Sequence, residues 1–417
     1  MGFWKKRLYA DAAAATPLSR SAERELLRLL PLFGNPGALH REALDAKHEL
    51  ERARKTTAGA LSAHADEIVF TSSGTEANNL GVQGVLRPLL QTHGKLHAIT
   101  SSIEHQSVLE PLRALKSEGL SVTYLKVDRE GFVDPKALRK AIIKKTVFVS
   151  VQMVNSEVGV IQPIREFAKE IRHVRKLRGT PHARVLRAAR PSPTLALGSV
   201  APLPLYFHTD ACQAPLWLPL AAPKLGIDLM TLDGQKMMGP KGVGALYVKR
   251  GTGIEPILWG GKQEGGLRGG TENVAVAGAF AVALKEAQER VEERVKKVAA
   301  VRDFLWSEVR RLVPNAILNG PPSGDTRVAN NLNISIPGLS AEMAVVALDA
   351  EGIAASTRSA CTVGEEGPSH VIVALGIPKN LANTAIRITL LPDATSTDAR
   401  RVAKTLANIA RKYGNVL

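Results

Sequence analysis

The sequence is short of cysteine. Cys212 and Cys361 are the only two in 417 residues, too few for a disulfide framework or a four-cysteine zinc site. No metal site is expected. Thiol use this sparse points to a reducing compartment, and a cytoplasmic location is the expectation. No apolar run reaches roughly 18 residues, so no membrane-spanning helix is expected. The charged start of the chain has no apolar segment behind it, and no secretory signal is expected. Internal repeats and low-complexity tracts are absent too. The apolar fraction of 45% and charged fraction of 23% exclude wholesale disorder, collagen and coiled coil. The length suits two or three domains, or one large and one small, with a core that needs no staple.

Acidic residues are also in deficit. There are 39 Asp and Glu against 55 Lys and Arg, a net charge of +16, which bears on solubility and attraction to polyanions rather than on fold. Much of the excess is local: Arg172, Arg175, Lys176, Arg178, Arg184, Arg187 and Arg190 follow one another with no acid between them. A solvated surface segment is the simple expectation, and contact with nucleic acid the sharper one. No aromatic residue is interleaved there for base stacking. Residues 178–205 are rich in Pro, Arg and Ala without a period. That is too long for an ordinary connection, so an insertion is expected.

What is present is an alternation. Short β-rich runs at 67–71, 96–100, 121–126, 146–151, 206–209, 229–232 and 244–249 are separated in several places by helical patterns at 75–90, 107–118, 135–143 and 164–177. Such alternation predicts an α/β fold with a mainly parallel sheet covered on both faces. Ligands of such sheets bind beyond the carboxyl ends of the strands. The glycine-rich 260–266 could close this first domain. A long helical stretch, 274–313, follows. Short strands at 331–336 and 385–390 and helices at 341–350 and 396–413 then read as a smaller α+β domain.

Several chemistry-bearing residues follow predicted strands. Asp210 and Lys236 each end a β-like run. A pyridoxal phosphate enzyme needs this pair, the lysine for a Schiff base and the acid to keep the pyridinium protonated; surface or salt-bridge roles are the alternative. Gly74 and Thr75 open a helix after a strand, which suits a phosphate or simple capping. His105 could stack on a flat cofactor and move protons, or be structural. Cys361 sits among small and polar residues, where an exposed thiol could act as a nucleophile or be inert. Cys212 reads as buried and inert. Arg387, inside an apolar strand, could grip a carboxylate or form an internal ion pair.

Taken together, ordered motifs carry these residues. They are Leu8-Tyr9-Ala10-Asp11, Phe33-Gly34-Asn35-Pro36, Ser73-Gly74-Thr75-Glu76-Ala77-Asn78-Asn79, Glu104-His105, Asn155-Ser156-Glu157-Val158-Gly159, Asp210-Ala211-Cys212-Gln213, Lys236 with Gly239-Pro240-Lys241-Gly242, Arg268-Gly269-Gly270-Thr271-Glu272-Asn273, Ser359-Ala360-Cys361-Thr362 and Ile386-Arg387. In this the chain resembles the cysteine desulfurases of the class V aminotransferase family, from about Leu8 to the C-terminus outside the insertion. The resemblance implies a pyridoxal-phosphate-dependent transferase of fold type I. Its large domain would span 16–265, with a seven-stranded sheet, and its small domain would combine 1–15 with 266–417. It implies pyridoxal 5'-phosphate on Lys236, with Asp210 at the ring nitrogen, His105 over the ring, Gln213 at the ring hydroxyl, and Gly74, Thr75 and Gln235 at the phosphate. Thr271 would come from the other subunit of a homodimer. Asn155 and Arg387 would hold the substrate carboxylate with Asn35 close by, and Asn155 would also touch the cofactor. L-cysteine would become L-alanine, its sulfur passing to Cys361 as a persulfide. The spacing from Cys361 to Pro368 is similar to that of the long-loop group, whose persulfide serves iron–sulfur scaffold and thiolation acceptors. An aminotransferase or another lyase of the same fold, or a catalytically weak scaffold, are the alternatives.

The chain departs from the family at one strand end. Asp233-Gly234-Gln235-Lys236 stands where the family usually has Ser-x-His-Lys. Gln235 can still donate to a phosphate. An ionised Asp233 would repel one, so it must point away, hold a proton or pair with a cation.

Overall fold

The computed structural model describes residues 7–179, 202–357 and 367–414. All seven expected strands join one sheet. Its order is Ile68–Thr71, Gly244–Val248, Leu229–Asp233, Tyr206–Asp210, Thr146–Ser150, Leu96–Ser101 and Leu120–Leu125. Only Gly244–Val248 runs antiparallel to its neighbours. The inner strands are buried at every residue, as a sheet covered on both faces requires. Side chains alternate between the faces with the period of two expected of a strand. Val69 and Phe148 join one core, with helix Gly74–His93 and Val108 of helix Gln106–Ala114; Phe70 and Val149 join the other, with Phe167 and Phe280.

The connecting helices form where their caps say they should. Ser73 accepts from the Glu76 N–H to start Gly74–His93, and Asp134 accepts from the Lys136 N–H ahead of Pro135–Ala141, each satisfying a donor that the first turn leaves open. Helices Arg20–Leu29 and Arg41–Ala60 were outside the expected pattern. The second buries Ala43, Ala46, Leu50, Ala53, Arg54 and Thr57, a stripe at helical spacing, against helix Val274–Glu289.

The expected helix over 274–313 is two helices, Val274–Glu289 and Val291–Leu312, because Arg290 leaves helical geometry (φ −135°, ψ 42°). The break is stabilised by Arg294, whose guanidinium donates to the carbonyls of Glu286, Ala287 and Leu216. It thus satisfies carbonyls that the broken ladder frees. No glycine or proline marks this point in the sequence.

A second, antiparallel sheet has the order Ala385–Thr389, Asn331–Ser335, Ile317–Leu318. Leu8–Tyr9 pairs in parallel with Ile353–Ala354, and Asp11 bridges to Thr389. The start of the chain is therefore bound to its last third. Residues 180–201 of the expected insertion lie outside the described residues. At its root, two of the basic side chains are not solvated as expected. Arg175 bonds the Leu205 carbonyl at 2.8 Å and pairs with Asp228, while Arg178 donates to the carbonyls of Thr146 and Ile143. Among the described residues, no helix is long and apolar enough to cross a membrane, and no cluster of His, Cys, Asp and Glu is placed to hold a metal.

Candidate active site

The predicted site residues come from different strand ends and meet along one edge of the large sheet. Gly74 follows Ile68–Thr71, His105 follows Leu96–Ser101, Asp210 ends Tyr206–Asp210, and Lys236 lies just beyond Leu229–Asp233. Gly244 begins the antiparallel strand at the same edge. A Cβ there would lie 2.5 Å from the Ser73 carbonyl carbon, so only glycine lets this strand start beneath the helix cap.

Asp210 is buried, and both of its oxygens are bonded. Oδ1 accepts from the Cys212 N–H at 2.9 Å and Oδ2 from Asn78 Nδ2 at 2.8 Å. His105 is half-buried, and its Nδ1 lies 2.7 Å from the Ser107 hydroxyl. Lys236 Nζ donates to the Ala13 carbonyl at 2.8 Å and to that of Ala14, and Gln213 Nε2 donates to the same Ala13 carbonyl at 2.9 Å. The segment after Asp11 thus draws Lys236 and Gln213 together. Thr16 N–H and Oγ1 both donate to the Gln235 carbonyl at 2.8 Å, clamping the lysine-bearing turn.

Gly74 is buried and Thr75 exposed at the start of a 20-residue helix. A Cβ on Gly74 would meet Cys212 Sγ at 2.7 Å, Asp233 Cβ at 3.0 Å and Asp233 Oδ2 at 3.2 Å. Asp233 therefore faces the helix start rather than pointing away. It caps the turn Gly234–Lys236, accepting from the Gln235 N–H at 3.2 Å and from Gln235 Nε2 at 3.3 Å. Cys212 is not in the apolar core; it keeps some surface and lies against Gly74. Burial, with the carboxylates of Asp210 and Asp233 adding to it, pushes its thiol well above the usual range. That direction favours the protonated thiol, while the burial expected from its sequence context is only partial.

Arg387 is buried, and it pairs with Asp11 at 2.8 Å and donates to the Ser156 carbonyl at 3.3 Å. Its Nε is buried without a hydrogen-bond partner. The expected internal ion pair exists, and a donor remains beside it. Asn155 is buried with Nδ2 on the Ile103 carbonyl and Oδ1 on the N–H groups of Glu157 and Val158. It shapes the turn beneath the site. Asn35 is exposed and closes its own turn by accepting from the Gly37 N–H at 2.9 Å. The expected nucleophile, Cys361, lies outside the described residues. Both flanks of its segment end at the site. Ser356 exchanges backbone hydrogen bonds with Arg387, while His370 Nε2 lies 3.1 Å from the Glu104 carbonyl and Ser369 Oγ donates to Glu157.

Sequence reasoning missed the residues that brace this edge. Glu104 is wholly buried, accepts from Ser101 Oγ and the Gln152 N–H, and is pushed up to about 8 by that burial. Glu264 is buried at a left-handed φ of 49°, where Arg54 grips it through both terminal nitrogens and the Phe70 N–H donates to it. Arg268 donates to Glu76 at 2.9 Å. Together these tie the segment that carries the exposed Thr271 to the strand and helix around Gly74. The glycine run at 260–266 signalled a break but not a buried acid within it.

The edge suits a flat anionic cofactor. It offers an amine, a buried carboxyl group, a half-buried imidazole, and a helix start so tight that it takes only glycine.

The class V aminotransferase family model matches residues 8–177 and 201–402, leaving out 178–200 of the stretch 178–205 read as an insertion. The chain is 38% identical to the cysteine desulfurase IscS of Dictyoglomus turgidum, covering 99% of this chain and 96% of that protein. It is 36% identical to the IscS of Methanosarcina thermophila, covering 99% and 94%. Among solved structures, a NifS-like protein superposes with a TM-score of 0.84 at 30% identity, covering 97% of this chain and all of that one. SspA in complex with cysteine does so with a TM-score of 0.74 at 30% identity, covering 93% and 100%.

Proposed function

The chain belongs to the class V aminotransferase family, and from that premise we propose that it is a pyridoxal-phosphate-dependent cysteine desulfurase. Its substrate is L-cysteine, its product L-alanine, and its sulfur acceptor Cys361. The observation that carries this reading is the rooting of the Cys361 segment at both ends of the site, on Arg387 and beside His105. An aminotransferase would need no thiol delivered there.

Lys236, Asp210, Gln213, His105, Gly74, Thr75 and Gln235 would hold the cofactor, with the partner subunit's Thr271 and the nearby Asn155. Bound there, pyridoxal 5'-phosphate supplies an electron-withdrawing ring that acidifies the substrate α-carbon. The chain's own residues do the rest. Arg387, held still by Asp11, offers its unpaired Nε to the substrate carboxylate. Asn155 and Asn35 shape that end of the pocket. Lys236 takes the α-proton, released from its two alanine carbonyls when substrate enters. His105 would stack on the ring and offer a proton there. The Cys361 thiolate then attacks the substrate sulfur. An S–S bond forms and the carbon–sulfur bond breaks; the carbon side takes up one proton at Cβ and regains the α-proton from Lys236 to leave as alanine.

Exposed Phe33, Leu39, Leu258 and Trp259 support a homodimer that shares Thr271. We place the small domain at 1–15 with 266–417 and the large one at 16–265, in line with the pairing of Leu8–Tyr9 with Ile353–Ala354. The persulfide would pass to a sulfur-acceptor or iron–sulfur scaffold protein in the cytoplasm. Nucleic acid is the weaker partner, since Arg175 and Arg178 are already engaged within the chain.

The test is to incubate the cofactor-loaded protein with L-cysteine and dithiothreitol, and to measure alanine and sulfide. Equal amounts from wild type and neither from Lys236→Ala or Cys361→Ser are expected. Cofactor binding without alanine would point to amino transfer instead.

A further inference from the structure

His105 is the N-cap of helix Gln106–Ala114, and its Nδ1 accepts from the Ser107 N–H at 3.2 Å. The Ser107 hydroxyl lies 2.7 Å from the same nitrogen. That hydroxyl oxygen accepts from Asn78 Nδ2 at 2.8 Å, and the amide's other N–H goes to Asp210 Oδ2 at 2.8 Å. Four side chains from three segments thus form one chain of hydrogen bonds, from the acid at one side of the ring site to the imidazole at the other.

The donors and acceptors along this chain have one consistent assignment. A backbone N–H can only donate, so Nδ1 of His105 must present a lone pair. With Nδ1 an acceptor, the Ser107 hydroxyl must donate to it, while its oxygen takes the Asn78 proton on a lone pair. A neutral imidazole with its lone pair at Nδ1 carries its proton on Nε2. The Asn78 amide has no freedom to turn over, because its carbonyl oxygen would then face the Asp210 carboxylate. In the orientation observed, Asn78 Oδ1 is buried with no hydrogen-bond partner. That is costly for a side chain 1% exposed. What Asn78 delivers in return is two donors, one for each neighbour.

We propose that Asn78 and Ser107 are positioning residues that lock His105 as the Nε2–H tautomer and couple it to Asp210, so that His105 meets the bound substrate as a hydrogen-bond donor and not as a base. The base is then Lys236. What the donor meets rests on the desulfurase reading; the tautomer does not.

The test is nitrogen NMR of the full-length protein labelled with 15N-histidine, with and without pyridoxal phosphate, with His105 assigned by comparison with His105→Gln. The expected spectrum shows an unprotonated Nδ1 and a protonated Nε2. A neutral ring with its proton on Nδ1 overturns the proposal. Kinetics supply the second arm. Ser107→Ala should lower kcat for alanine formation about tenfold, the size of one lost hydrogen bond, with KM little changed. Ser107→Thr, which keeps the hydroxyl, should restore it. An unchanged kcat in Ser107→Ala also overturns the proposal. If wild type forms no alanine, the desulfurase reading fails while the spectrum still decides this one.

Discussion

The two ends of the site are built on opposite terms. At the ring end, donors and acceptors alternate without conflict from Asp210 through Asn78 and Ser107 to His105. At the phosphate end, a carboxylate faces the start of helix Gly74–His93, where the helix dipole favours negative charge. Asp233 takes that favourable place itself, with Gln235 as its hydrogen-bonding neighbour. The difference teaches that the end proposed for the ring admits little change, whereas the end proposed for the phosphate carries an acid that would compete with an anion.

The largest expected effect is at the ring end. Asp210→Ala removes a buried carboxyl group with two bonded donors and should cut kcat/KM for alanine formation by about a hundredfold or more. A loss of only a few-fold would show that the bonded chain matters less than its geometry implies. Next is the fit of the cradle. Gly74→Ala places a Cβ 2.7 Å from Cys212 Sγ and should destabilise the protein by about 1–3 kcal/mol by denaturation. Adding Cys212→Ala should return part of that loss.

At the phosphate end, Asp233→Ser should tighten pyridoxal phosphate about three- to tenfold in a fluorescence titration of the cofactor-free protein. The gain should shrink as salt screens the removed charge. Equal affinities at low salt would mean that Asp233 is already neutralised. The smallest effect is a pH slope. Burial raises the Glu104 carboxyl from its ordinary 4.5 to about 8, so the folded state keeps a proton that the unfolded chain releases. This stabilisation is complete below pH 4.5 and is lost as pH rises through about 8. Glu104→Gln imitates the protonated form, so its stability should not fall across that window while that of wild type does. Parallel curves would contradict the assignment.

Much of the large sheet was legible because buried parallel strands leave dense β-branched runs between helical ones. Helix Arg41–Ala60 was not, because its buried stripe is mostly alanine and one arginine, weak against a polar background. The break at Arg290 was hidden because a side chain four residues later, rather than a glycine or proline, makes it possible. At the site, residue identity pointed to Lys236, Asp210 and His105. Ser107 and the carbonyls of Ala13 and Ala14 carry no signature, since a hydroxyl or a backbone oxygen gains its role only from what the fold brings beside it. Arg387 had two readings: the structure shows the ion pair with Asp11, and it leaves Nε unpaired, the donor proposed for a carboxylate.

The central claim is that sulfur leaves L-cysteine onto Cys361. The most direct measurement is mass spectrometry of peptides from the protein after brief exposure to L-cysteine without reductant, with persulfides trapped by an alkylating reagent. The account predicts one added sulfur atom on the Cys361 peptide in wild type, and none there in Lys236→Ala. Alanine formed with Cys361 unmodified, or sulfur found on Cys212 instead, would contradict it.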